Sequence, residues 1–255
     1  EIFIYLEKQS RKESSLHDEE HSMSLAELLE RKKYLVSDGA MGTELAKRGL
    51  QPGDCPELMN AEKPDVIRGI ARAYVKAGSD IILTNTFGGS PQKLARFSLE
   101  NRLEELNEKG VRFAVEGAEG QAVVYASIGP AGEFLEPLGT ITESEMIKSF
   151  GRQAGALLAG GAQGFVVETM TDLGEAVCAV KAAREHSDLP VICSMTFDKG
   201  ARGFATIMGI TPERAAEALA EAGAAAAGAN CSTGIEDLIE VCRIMRARSG
   251  LPLWI

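Results

Sequence analysis

Acids, amides, hydroxyls and a thiol stand directly behind short apolar runs. Asp38 closes "YLVSD" (34–38), Asn85 and Thr86 close "DIILTNT" (80–86), Glu168 ends the apolar part of "GFVVET" (164–169), and Asn230-Cys231 follow "AAAAGA" (224–229). A carboxylate closing a buried run is costly without a partner. Two such carboxylates can hold a cationic amino group, and a thiolate beside them can ligate a metal, Zn²⁺ above all. Each residue alone equally suits a satisfied strand-end polar group, and Cys231 a small buried apolar residue. With Gly129-Pro130 after "AVVYASI" (122–128) and Thr196 closing "PVICSMT" (190–196), six strand ends converging on one rim are harder to explain that way. One cysteine is not a zinc site, because at least three protein ligands are needed. A strand-end lysine for Schiff-base chemistry is missing. His17 and His21 lie in the N-terminal stretch and His186 near a helix end, so no Ser-His or Cys-His nucleophile stands out. "HDEEH" (17–21) formally fits H-x-x-E-H, but it sits in a charged stretch without an apolar helix and reads as a decoy.

Short elements must position these residues. Beyond the four runs above, "AVVYASI" (122–128), "PVICSMT" (190–196) and "PLWI" (252–255) are equally brief and apolar on both faces. That pattern suits parallel strands covered on two sides. The helices between carry start signals: Ser90-Pro91 and Thr211-Pro212 place a cap before a first-turn proline. Ser24…Glu27, Thr142…Glu145, Asp172…Glu175 and Thr233…Glu236 have capping-box spacing. In the last helix Ile235, Leu238, Ile239, Cys242 and Met245 form one stripe, which makes Cys242 a core residue. Cys178, beside a similar stripe, and Cys193, inside a strand, read as packing, whereas Cys55 has no evident role.

Strand and helix alternate with a period of roughly 40 residues, a βαβ series with right-handed crossovers. An open doubly wound sheet usually carries a nucleotide loop, and neither GxGxxG nor GxxxxGK[ST] follows any strand. The fold class expected is therefore α/β, a (β/α)₈ TIM-type barrel incomplete at the C-terminus, with about six βα units and the start of strand 7. In this reading residues 1–22 are a tail or linker outside the fold, Met23 is the natural start, and 23–255 form the truncated barrel. Two unpaired strand edges would make such a piece poorly stable alone.

Composition narrows the partners. The chain has 255 residues, 27 basic and 37 acidic, for a net charge of −10, with no dense basic stripe. Nucleic acid and anionic membranes are disfavoured, and no run is long enough to span a bilayer. Five scattered cysteines without a CxxC pair argue against a disulfide framework and for a cytoplasmic protein.

"SDGAMGTEL" (37–45), "AGSDIILTNTFGGS" (77–90), "IGPAGE" (128–133), "VVETMTDLGEA" (166–176), "MTFDKGARGFATIMG" (195–209) and "GANCSTGIEDL" (228–238) together resemble the homocysteine S-methyltransferase family, most of all its cobalamin-dependent methionine synthase branch. The resemblance runs from about Tyr34 to Ile255. It implies a barrel holding zinc through three cysteine thiolates, of which Cys231 would be the first. The other two belong to an adjacent-cysteine motif that nothing here matches. By the same resemblance Asp38 and Glu168 hold the substrate's amino group. Gly39, Met41, Gly42, Thr43, Asn85, Thr86 and Asn230 form the surrounding pocket. Homocysteine would be methylated to methionine, with methylcobalamin supplied by a cobalamin-binding domain or corrinoid protein.

Two other readings stay open at this point. One is a corrinoid-protein methyltransferase acting on another methylated substrate. The other is a non-catalytic barrel fragment lacking its zinc site. Relatives that use betaine or S-methylmethionine would need an aromatic cage for the cationic donor. Aromatics are 5% of the chain and Trp254 is the only tryptophan, which favours the corrinoid.

Overall fold

A computed structural model describes residues 3–5, 25–231 and 234–255. The chain runs through β1 (Phe3–Tyr5), α1 (Leu25–Arg31), β2 (Tyr34–Val36), α2 (Met41–Lys47), α3 (Met59–Glu62), α4 (Pro64–Ala77) and β3 (Ile81–Leu83). It continues through α5 (Pro91–Ala95), α6 (Leu103–Ala118), β4 (Val123–Ile128), α7 (Glu143–Ala159), β5 (Phe165–Met170), α8 (Leu173–His186) and β6 (Val191–Met195). The last elements are β7 (Asp198–Gly200), β8 (Gly203–Ala205), α9 (Pro212–Glu221), β9 (Ala226–Ala229), α10 (Ile235–Ser249) and β10 (Leu253–Trp254).

All seven apolar runs are strands. Six form one parallel sheet in the order β10-β9-β6-β5-β4-β3, and β2 joins its β3 edge through a parallel bridge from Ser37 to Ile81. Sequential neighbours, parallel pairing and a helix between strands make this an incomplete (β/α)₈ barrel, as expected. Of residues 1–22, Phe3–Tyr5 pair antiparallel with Tyr34–Val36. Ser24 and Thr233 lie outside the described residues, so the two caps assigned to them do too, as do Met23 and "HDEEH" (17–21).

Strand alternation sorts the interior into layers. One apolar layer takes Leu35, Ile81, Tyr125, Val166, Ile192, Ala226 and Trp254 from successive strands, and Leu25 and Leu28 of α1 pack against it. One step further along three of these strands stand Ser127, Glu168 and Ser194. The interior thus changes from apolar to polar toward the C-terminal ends of the strands. The opposite faces of β4, β5, β6 and β9 pack on α7 to α10 through Ala126, Phe165, Val167, Cys193, Ala227, Phe150, Leu219 and Met245. Cys178, Cys193 and Cys242 are buried, as expected, and so is Cys55, although Ile235 and Ile239 of the α10 stripe are exposed.

The helix signals hold at most ends. Ser90 and Thr211 accept from the amides of Lys93 and Arg214 ahead of their prolines. Thr142 and Glu145 make the complete reciprocal box. Asp172 accepts from Glu175 N at 3.0 Å, but Glu175 does not return the bond. Its carboxylate accepts from Ala131 N at 2.6 Å instead, so the expected box at α8 is only half formed. The hairpin β7–β8 had no apolar run to announce it. It is tied to α10 by Lys199, whose ammonium lies 2.8 Å from Asp237.

Candidate active site

Asp38 ends the first strand of the barrel and is 3% exposed. Its Oδ2 accepts from Leu83 N at 2.9 Å and its Oδ1 from the Ser37 hydroxyl at 3.3 Å. Burial pushes its pKa up to about 8, opposed by those hydrogen bonds and reinforced by the nearby charge of Glu168. Glu168, half-buried on β5, accepts from Ser127 Oγ at 2.6 Å. Burial raises its pKa as well. The two acids therefore face one desolvated space, where a cationic group would relieve both.

The sulfur lies beside Thr169, the residue after Glu168. Between Val167 and Met170 the β5–β6 register shifts, and Thr169 adopts a left-handed φ of 61°. Cys231, just past β9, has φ 62°. A β-branched residue in that region is held there only by its surroundings, and Asn230 supplies the hold. Its Oδ1 accepts from Thr169 N at 2.9 Å and Ser194 Oγ at 2.8 Å. Its Nδ2 donates to Thr169 Oγ1 at 2.7 Å and to Cys231 Sγ at 3.5 Å. Cys231 Sγ is 3.9 Å from Thr169 Oγ1, and the residue is exposed. Asp38, Glu168, Asn230 and Cys231 are thus brought together at one end of the barrel.

The other residues singled out from the sequence have different neighbours. Asn85 donates both amide hydrogens away from the acids, to Pro56 O at 2.7 Å and Asn60 Oδ1 at 2.8 Å. Thr86 Oγ1 bonds Ser127 O at 2.7 Å and Thr84 Oγ1 at 2.5 Å. Met41 packs into the cluster of Leu45, Met59 and Ile67. Gly39, Gly42 and Thr43 are exposed where the chain enters α2. Gly39 lies close to Tyr74, since a Cβ there would stand 3.0 Å from the Tyr74 hydroxyl. Burial and the charge of Asp38 raise the Tyr74 pKa, which puts a phenol beside that carboxylate. Sequence reasoning missed Tyr74, whose place on the apolar stripe of α4 reads as packing. It also missed Glu57, a buried acid in the 3₁₀ turn Pro56–Leu58 just before α3.

Zinc does not fit the described residues as a complete site. Among them no three His, Cys, Asp or Glu side chains are grouped to hold a metal ion. Cys231 offers a single thiol, and the other four cysteines are buried away from solvent.

Parallel strands with a helix between neighbours, and acids and a thiol at their C-terminal ends, define the class: an α/β-barrel protein. The chain belongs to the homocysteine S-methyltransferase family, whose model matches residues 35–254. It is 29% identical over 238 residues to the methionine synthase of Mycobacterium tuberculosis (strain ATCC 25618 / H37Rv), covering 87% of this chain and 20% of that protein. It is 29% identical over 239 residues to the methionine synthase of Mycobacterium leprae (strain TN), covering 87% and 19%. The chain thus spans about one fifth of the length of these relatives. Its fold matches the metallated form of the homocysteine methyltransferase MmuM from Escherichia coli with a TM-score of 0.77 at 23% identity, covering 89% of this chain and 84% of that one.

Proposed function

We propose that this chain is the homocysteine-binding barrel of a methyltransferase that makes methionine, with methylcobalamin as methyl donor. The observation that supports the reading is two buried acids, Asp38 and Glu168, near enough for the charge of one to act on the other, with Cys231 Sγ 3.9 Å from the hydroxyl of Thr169, the residue after Glu168. An amino acid's ammonium group would sit between the carboxylates, Asp38 surrendering its proton to solvent as the cation arrives. The substrate's thiol would then lie toward Cys231, whose sulfur is exposed at the same mouth. Membership of the family and the likeness to methionine synthases favour homocysteine as the substrate.

In this reading Cys231 supplies one thiolate to Zn²⁺, and the remaining ligands come from outside the described residues. When bound, zinc would lower a coordinated thiol's pKa and provide a thiolate at neutral pH. The methyl group would be delivered by a cobalamin-binding domain or corrinoid protein. The low aromatic content supports that donor over a quaternary ammonium. A cytoplasmic setting fits the scattered free cysteines, and no helix among the described residues is long and apolar enough to cross a membrane.

The test uses the protein encoded by the complete reading frame that contains this chain. Zinc content and methyl transfer from methylcobalamin to homocysteine are measured for wild type and Cys231→Ser. The reading expects at least tenfold losses of both in the variant. A variant that keeps its zinc and its activity contradicts the ligand assignment. A wild type that methylates no homocysteine contradicts the function.

A further inference from the structure

Two buried glutamates, Glu57 and Glu175, have no part in the reading above, yet each holds one loop of the barrel mouth. After β3 the chain turns through Thr86, Phe87 and Gly88. Gly88 N donates to Glu57 Oε1 at 2.7 Å, and the other oxygen, Oε2, accepts from the Cys55 thiol at 3.3 Å. The fit is close, since a Cβ on Gly88 would stand 2.9 Å from Glu57 Oε1. After β4 the chain turns through Gly129 and Ala131, whose amide donates to Glu175 Oε1 at 2.6 Å. The two loops are joined by a bond from Gly129 N to Phe87 O at 2.9 Å. Glu57 is 3% and Glu175 4% exposed, and the Lys93 ammonium at the start of α5 acts electrostatically on both.

These loops continue directly from the groups that serve the two acids. Leu83 N holds Asp38, and Ser127 Oγ holds Glu168. Thr86 Oγ1 bonds Ser127 O, and Ser127 N donates to Thr84 Oγ1 at 3.1 Å. A shift of either loop would reach those donors within a few residues. We infer that Glu57 and Glu175 are positioning residues, each accepting one loop amide so that the paired loops hold Asp38 and Glu168 at the separation an amino-acid substrate needs. A buried carboxylate is a costly way to satisfy one amide, and the inferred role gives these two acids a function beyond packing. The inference rests on the proposed substrate reading.

It is tested with Glu57→Ala, Glu175→Ala, Glu57→Gln and Glu175→Gln in the protein from the complete reading frame. Glutamine keeps an acceptor oxygen for the loop amide but no charge. The alanine variants are expected to raise KM for homocysteine at least tenfold with kcat within threefold of wild type, and the glutamine variants to return KM to within threefold. Unchanged KM in the alanine variants overturns the inference. So does a kcat loss shared by alanine and glutamine, which would mark a role for the charge itself. If wild type transfers no methyl group, the proposed function fails, and hydrogen exchange over residues 84–90 and 128–133 decides the anchoring alone. Faster exchange at both loops in the alanine variants, restored by glutamine, supports it, and unchanged exchange overturns it.

Discussion

Asp38 is the residue on which most of the site's electrostatics turn. Its pKa stands near 8 in the folded chain against 3.8 as the ordinary value. The native state therefore keeps a proton that the unfolded state loses on going from pH 4 upward. Stability from this group is fully present below pH 4 and is lost as pH rises through about 8. Asp38→Asn has no proton to lose, so its stability relative to wild type should rise with pH, by about 1.4 kcal/mol per pH unit between the unfolded and folded pKa values, and stand highest at pH 9. At pH 5 the gap should be smaller. Urea unfolding at both pH values measures it, and a gap that does not grow with pH contradicts the buried, protonated state. Asp38 and Glu168 were legible in the sequence because a charge ending an apolar strand is hard to explain otherwise. Asn230 was legible as a neighbour of the sulfur, but not as a side chain whose every donor and acceptor is engaged by Thr169, Ser194 and Cys231. Glu57 was hidden because its partner, Gly88, lies 31 residues away in a loop.

At the scale of elements, local chemistry and tertiary demand agree in most places. Thr142 and Glu145 close a reciprocal box at the start of α7. Thr142→Ala should cost about 1 kcal/mol, read as a lower urea midpoint with an unchanged slope. A loss under ~0.3 kcal/mol would show that packing alone fixes this helix. At α8 tertiary demand wins: Glu175 has the spacing of a capping partner, yet the Ala131 amide takes its carboxylate. Spacing along one helix cannot report a partner 44 residues away. The strands were legible because both of their faces are covered, which leaves a purely apolar signature. The β7–β8 hairpin was not, since "DKGARGFA" is mostly exposed and is held by its own pairing and by Lys199.

The whole molecule follows from alternation. Apolar residues inside the lower barrel give way to Ser127, Glu168 and Ser194 at the strand ends, and the site forms where that change occurs. Strand count, parallel order and placement of the mouth were readable from period and run length. The bulge at Val167–Met170 and the left-handed Thr169 and Cys231, which bring the sulfur beside the Thr169 hydroxyl, were not. They are set by bonds between strands rather than by residue type. The central claim is that Asp38 and Glu168 jointly bind the substrate's ammonium group at this mouth. Calorimetric titration of homocysteine into the protein from the complete reading frame tests it most directly, comparing wild type with Asp38→Asn and Glu168→Gln. The account predicts at least a tenfold weaker Kd for each variant, and proton release on wild-type binding at pH 7 that Asp38→Asn lowers by the proton Asp38 gives up. Equal affinities in all three proteins, with no change in proton release, would contradict it.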